Sequence, residues 1–115
     1  MATLRREGAE IVLKLNDLEK AGALHGDVRV PASAVRDVRV TTTPFRELRG
    51  IRAPGTGVPG VVALGTWRHG DGKDFAALYR GGPAVVVELE GAAYGRLLVS
   101  AHDAVDVAAA LREEP

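Results

Sequence analysis

Five arginines, Arg36, Arg39, Arg46, Arg49 and Arg52, stand close together in the first half of the chain. A guanidinium is a planar fork of donors that grips carboxylates and phosphates through paired hydrogen bonds. If Pro44–Leu48 forms a helical turn, Arg46 and Arg49 share one face of it. Phe45 is the lone aromatic residue in this stretch, so stacking on nucleic-acid bases has little support. An anionic ligand, an acidic protein surface and intramolecular ion pairs all remain open for the cluster. Trp67 and Phe75 fall on neighbouring strand-like segments, where they serve either as core or as an apolar patch for a partner. The candidate binding surface is therefore Phe45, Arg46, Arg49, Arg52 and Trp67.

Other reactive residues do not converge in the sequence. His25, His69 and His102 show no His-x-x-x-His spacing and there is no Cys, so no metal site and no thiol nucleophile is expected. Ser100 reads as a helix cap, and Ser33 has no base near it in sequence. Glu88 and Glu90 share one side of a strand and read as a solvated face. Gly55-x-Gly57-x-x-Gly60 has the spacing of a dinucleotide-binding loop. That chemistry needs a strand before the glycines and a helix after them. Here a loop precedes, Pro59 intervenes and a β-branched strand follows, so no nucleotide is expected. No catalytic residue and no cofactor is assigned.

The 115 residues, 46% of them hydrophobic, suffice for one domain over 1–115 with its core in about 10–112. Fifteen basic and fifteen acidic residues balance, which gives no global attraction to nucleic acid or to an anionic membrane. The longest apolar runs, Val61–Leu64 and Ala84–Val87, fall far short of a membrane span. No apolar segment follows Met1–Glu7, so no secretory leader is expected. With the absence of Cys, these features lead to the expectation of a cytoplasmic protein.

Period-two alternation marks strands at Glu10–Leu15, Asp27–Val30, Asp37–Thr41 and Val85–Glu90. The runs Val61–Trp67, Asp74–Tyr79 and Arg96–Ser100 are apolar on both faces, which predicts strands covered on both sides. Glycine-rich links Gly70–Gly72, Gly81–Pro83 and Gly91–Gly95 predict that the second half is a four-stranded meander. A helical turn is expected within Asn16–Leu24, capped by Asp17. The stretch Thr42–Gly60, with three Pro and four Gly, reads as a long connection. Ser100-Ala-His-Asp103 reads as a capping box opening a terminal helix, with Ala104, Val105, Ala108, Leu111 and the stem of Arg112 on one face.

Seven short strands and one closing helix follow the order of the pleckstrin-homology superfold. The parts Pro59-Gly60, Val61–Gly65, Gly70–Gly72, Val85–Glu90 and Ser100–Asp103 make the chain resemble the bacterial pleckstrin-homology-like families. That resemblance implies an all-β fold: a split β-barrel of about seven antiparallel strands, capped by the C-terminal helix. Pleckstrin-homology domains that bind phosphoinositides carry basic residues in and beside the first hairpin. Here Asn16-Asp-Leu-Glu-Lys20 is more acidic than basic and Lys14 alone fits, which argues against phosphoinositide binding.

The resulting expectation is a non-catalytic binding or assembly module that engages a protein partner or a second copy of itself. It would not bind nucleic acid or insert into a membrane. The alternative is a small-ligand-binding or enzymatic protein that uses the barrel mouth, with the 42–60 loop as its lid.

Overall fold

The computed structural model describes residues 1–112. A hairpin opens the chain, β1 (Thr3–Glu7) against β2 (Glu10–Lys14). Helix α1 (Asp17–Ala23) follows. Its cap is Asn16, not Asp17: the Asn16 side chain accepts from the Glu19 amide at 2.8 Å, and Glu19 accepts from the Asn16 amide at 2.9 Å. This reciprocal arrangement satisfies two amides at the helix start. Strand β3 (Val28–Pro31) pairs with β2 and completes a three-stranded sheet.

The remaining strands form a six-stranded sheet. They are β4 (Val35–Thr41), β5 (Ile51–Val58), β6 (Val62–His69), β7 (Gly72–Tyr79), β8 (Ala84–Leu89) and β9 (Arg96–Ser100). Helix α2 (Ala104–Arg112) follows β9. The spatial order is β4-β8-β9-β7-β6-β5. All neighbours run antiparallel except β7 and β9, which are parallel over Asp74–Ala77 and Arg96–Val99.

Side-chain alternation divides the large sheet into two apolar faces. One face carries Phe75, Ala77, Val85, Val87, Leu97 and Val99, and it packs on Leu4, Ile11, Leu13, Val28 and Val30 of the small sheet and on Ala104, Ala108 and Leu111 of α2. The other carries Ala63, Trp67, Ala76, Leu78, Ala84, Val86 and Leu98. Covering on both sides is what the unbroken apolar runs of β6, β7 and β9 predict.

The expected all-β split barrel is not the fold. Among the described residues, nine strands form two open sheets, one of them mixed, with two α-helices. The large sheet ends at β4 on one side and β5 on the other, so no barrel closes. The pleckstrin-homology-like architecture falls with it. The meander is also corrected: β9 inserts between β7 and β8 and runs parallel to β7. All seven expected strands are present, with β1 and β5 added. The Ser100 hydroxyl does not cap a helix; it accepts from the Tyr79 amide at 2.8 Å and lies 3.3 Å from the Tyr79 carbonyl. On α2, Val105 is exposed rather than buried.

Candidate functional site

Consecutive strands β4 and β5 lie at opposite edges of the large sheet. The chain between them must therefore cross the sheet, and residues 42–50 do so as a strap over the second apolar face. Pro44–Glu47 makes a short 3₁₀ turn within it. Pro44 is buried, and Phe45 and Leu48 pack on the cluster around Trp67. The floor is rich in alanine (Ala63, Ala76, Ala84), and small side chains let the strap's backbone lie close.

Two polar anchors hold the strap. Midway, Arg39 of β4 donates to both Glu47 carboxylate oxygens at 2.7 and 3.1 Å and to Glu88 at 3.0 Å. Arg96 of β9 donates to Glu88 at 3.1 Å and to the Glu47 carbonyl at 3.0 Å. Two cations and two anions thus alternate around the turn. The hydrogen bonds from Arg39 hold the Glu47 carboxyl below the usual carboxylate range, against the opposing effect of burial. At the strap's end Arg49 forms a fork with Asp74, at 2.8 and 2.7 Å. Asp74 is 0% exposed and also meets His69 Nε2 at 3.1 Å. These bonds raise the Arg49 pKa, so the guanidinium stays charged.

Beyond the strap, β5 forms the free edge of the sheet. Its glycines answer the geometry rather than a nucleotide. A side chain at Gly55 would strike the Leu64 carbonyl at 2.2 Å, because the β5 and β6 backbones touch there. A side chain at Gly57 would meet the Arg52 guanidinium at 2.6 Å. The stretch read as a 42–60 loop is therefore a strap, an edge strand and a turn.

Between strap and edge lies an open groove of about 270 Å³. Phe45 and Leu48 form one wall, Gly57–Gly60 the other, and Val62, Ala63 and Trp67 the floor. Arg52 stands at the rim, donating one hydrogen bond to the Gly57 carbonyl at 3.1 Å. Three of the five sequence candidates, Phe45, Arg52 and Trp67, thus meet in one place. Arg49 does not join them, being committed to Asp74. Arg46 is exposed on the strap, outside the groove lining, and has no carboxylate partner among the described residues. Residue-type reasoning missed Leu48, Ala63 and the Gly57–Gly60 wall, which become a site only when β5 is laid beside β6. A charged Asp74 at the head of the apolar run Phe75–Leu78 was the signal available for the anchor.

Two further polar clusters join elements elsewhere. Tyr79 donates to Glu19, which is 1% exposed, and so ties α1 to β7. Burial and that acceptor raise the Tyr79 pKa. His25 Nδ1 faces the Gly26 carbonyl at 2.8 Å and therefore donates there. Its Nε2 then accepts from the Tyr94 hydroxyl at 3.0 Å. No His, Asp or Glu trio that could hold a metal occurs among the described residues. No helix among them is long and apolar enough to cross a membrane.

Compared with protein-family models, with curated proteins and with solved structures, the chain matches none. The site is read from its own geometry.

Proposed function

We propose that this chain is a non-catalytic, cytoplasmic binding module whose docking surface is the groove beneath the strap, and that a protein partner places an apolar side chain there. The observation that carries the reading is the junction of the groove with the β5 edge. An apolar floor containing Trp67 opens directly beside a strand with no neighbour on its outer side. Seven large apolar side chains are exposed in the described chain. Three of them, Ile51, Val58 and Val61, lie on β5 or in the turn after it. Two more, Leu18 and Leu24, lie on or cap α1, which packs against β5 and β6 from the sheet face opposite the groove, where Gly22 meets Leu64. Such a concentration marks an interaction surface better than scattered exposure does.

A protein side chain suits the groove better than a free small molecule. Sites for small molecules commonly span about 300–1,000 Å³ and enclose most of the ligand, whereas this groove, of about 270 Å³, lies open along one flank. The opposite edge of the sheet does not compete for a strand. Two donors of the Arg112 guanidinium bond the Val38 carbonyl of β4, at 2.6 and 3.0 Å, and α2 packs alongside. A charged side chain over an edge discourages pairing there; Arg112 holds β4 by two bonds, whereas Arg52 makes a single longer one to β5.

The test is a selection of displayed random nine-residue peptides on the wild-type protein, repeated with Gly57→Leu. Leucine at 57 fills the groove mouth and moves Arg52 without disturbing a left-handed backbone position. Trp67 is the sole tryptophan, so its emission reports occupancy. The reading expects peptides that shift Trp67 emission on the wild type and bind at least tenfold more weakly to Gly57→Leu. An empty selection, or peptides indifferent to both Gly57→Leu and Trp67, would retire it.

A further inference from the structure

The charges around the groove say more about its occupant. From Thr42 to Gly70 the chain holds four arginines (46, 49, 52 and 68) and one acid, Glu47. Glu47 is spent on Arg39 and Arg96, which are themselves outside this stretch, and Arg49 is spent on Asp74. Arg46, Arg52 and Arg68 have no carboxylate partner among the described residues. Arg52 uses one donor on the Gly57 carbonyl and Arg68 one on the Ala53 carbonyl. A guanidinium has five N–H donors, so each keeps a face able to take a carboxylate. On β4 and β9 the arginines Arg36, Arg39 and Arg96 are all matched with acids. Lys73 of β7 and Arg80 after it also lack a carboxylate partner among the described residues, but Arg52, opposite Trp67, shares the groove's face, while Arg68, opposite Ile51, projects from the other.

The β5 backbone sets the form of the occupant. Its ladder with β6 shifts register between Arg52 and Gly55, and Pro54 in that gap has no amide hydrogen to donate. The stretch from Gly55 to Val58 is regular, pairing Gly55 with Gly65, Thr56 with Leu64, Gly57 with Ala63 and Val58 with Val62. That stretch also borders the groove. Gly57 shares a sheet face with Ala63 and has no side chain; the Arg52 side chain alone lies over it, held by one bond to the Gly57 carbonyl, and a carboxylate that draws Arg52 away frees this point for an added strand.

Resting on the groove reading above, we infer that the occupant is a short extended acidic segment of a partner protein, added as an outer strand along Gly55–Val58. Its one bulky apolar side chain enters the groove over Trp67, and a carboxylate near that residue takes the Arg52 guanidinium. Main-chain bonds then supply affinity, while the groove and Arg52 supply selectivity. Acidic residues flanking an apolar anchor also keep such a segment from pairing indiscriminately.

The experiment continues from the selected peptides. Their sequences should be enriched in Asp and Glu beside a single Phe, Leu or Ile. Three synthetic forms of the best peptide are titrated against Trp67 emission: the parent, a Glu/Asp→Gln/Asn form, and a form N-methylated at alternate positions. The inference expects at least tenfold weaker binding for the amide and N-methylated forms, and an affinity that falls with added salt. Arg52→Gln changes an exposed side chain and should leave the thermal midpoint unchanged while bringing the parent and amide peptides to equal affinity. Neutral peptides that bind as well as acidic ones would overturn the charge assignment and leave the groove reading intact. Full binding by the N-methylated form would overturn strand addition. A selection yielding no peptide would remove both readings together. Binding of phosphatidylserine vesicles that Arg52→Gln abolishes, without any peptide binding, would assign these cations to a membrane surface and overturn the inference.

Discussion

At the scale of single residues, the arginines divide by what they face. Arg49 meets a carboxylate with no access to water, and among the described residues Asp74 has only the side chains of Arg49 and His69 to satisfy its charge. A carboxylate left half-paired in such a place is costly, because desolvation is no longer offset. Arg49 is itself partly exposed, which moderates the loss. Arg49→Ala is expected to lower stability by about 2–3 kcal/mol in urea unfolding, and Arg49→Lys, which cannot form the fork, to recover part of that. A loss under about 0.5 kcal/mol would show that the pair is a surface contact. The sequence displayed the arginine cluster but not its division. Whether an arginine binds outward or inward depends on which acid lies across the sheet, and Asp74 is twenty-five positions from Arg49. Trp67 resolves both of its sequence readings at once: at 7% exposure it is packed, yet its remaining surface lines the groove.

At the scale of elements, the strap is the unusual feature, since nine residues cross a sheet face where a helix would otherwise lie. Few apolar contacts hold it, so its attachment depends on its two polar anchors, and Glu47 is the centre of one of them. The Glu47 pKa is lowered in the folded state by the Arg39 hydrogen bonds. Its contribution is therefore full above the unfolded glutamate value of about 4.3 and is lost as pH falls through the lower folded value. The stability difference between wild type and Glu47→Gln should accordingly be largest near neutral pH and shrink as pH falls below the unfolded glutamate value of about 4.3. A difference that stays constant with pH would contradict the ion-pair account of strap attachment. Seven strands were legible because burial on one or both faces imposes a pattern on side chains. The edge strand β5 was not: Ile51-Arg-Ala-Pro-Gly-Thr-Gly-Val has no alternation, and an edge tolerates Pro and Gly that a central strand would reject. Strand β1 escaped notice because Leu4 is its single core residue. Ser100 has the spacing of a cap, but its hydroxyl found the Tyr79 backbone first.

At the scale of the whole molecule, pairing order was the illegible part. Periodicity tells which faces are buried, not which strand lies next to which. The insertion of β9 between β7 and β8 turns an expected meander into a mixed sheet, and it moves the termini of the sheet to β4 and β5. Everything proposed about function follows from that displacement: the strap exists because β4 and β5 are separated, the groove exists because the strap leaves the β5–β6 hairpin uncovered, and one sheet edge is left open while Arg112 closes the other. Amide hydrogen exchange, read by mass spectrometry with and without a saturating selected peptide, tests this chain of causes most directly. Added protection is predicted at residues 55–58 and along the strap at 44–48, with residues 35–41 of β4 unchanged. Protection appearing along β4 or the small sheet instead, or none at β5 while the peptide remains bound, would contradict it.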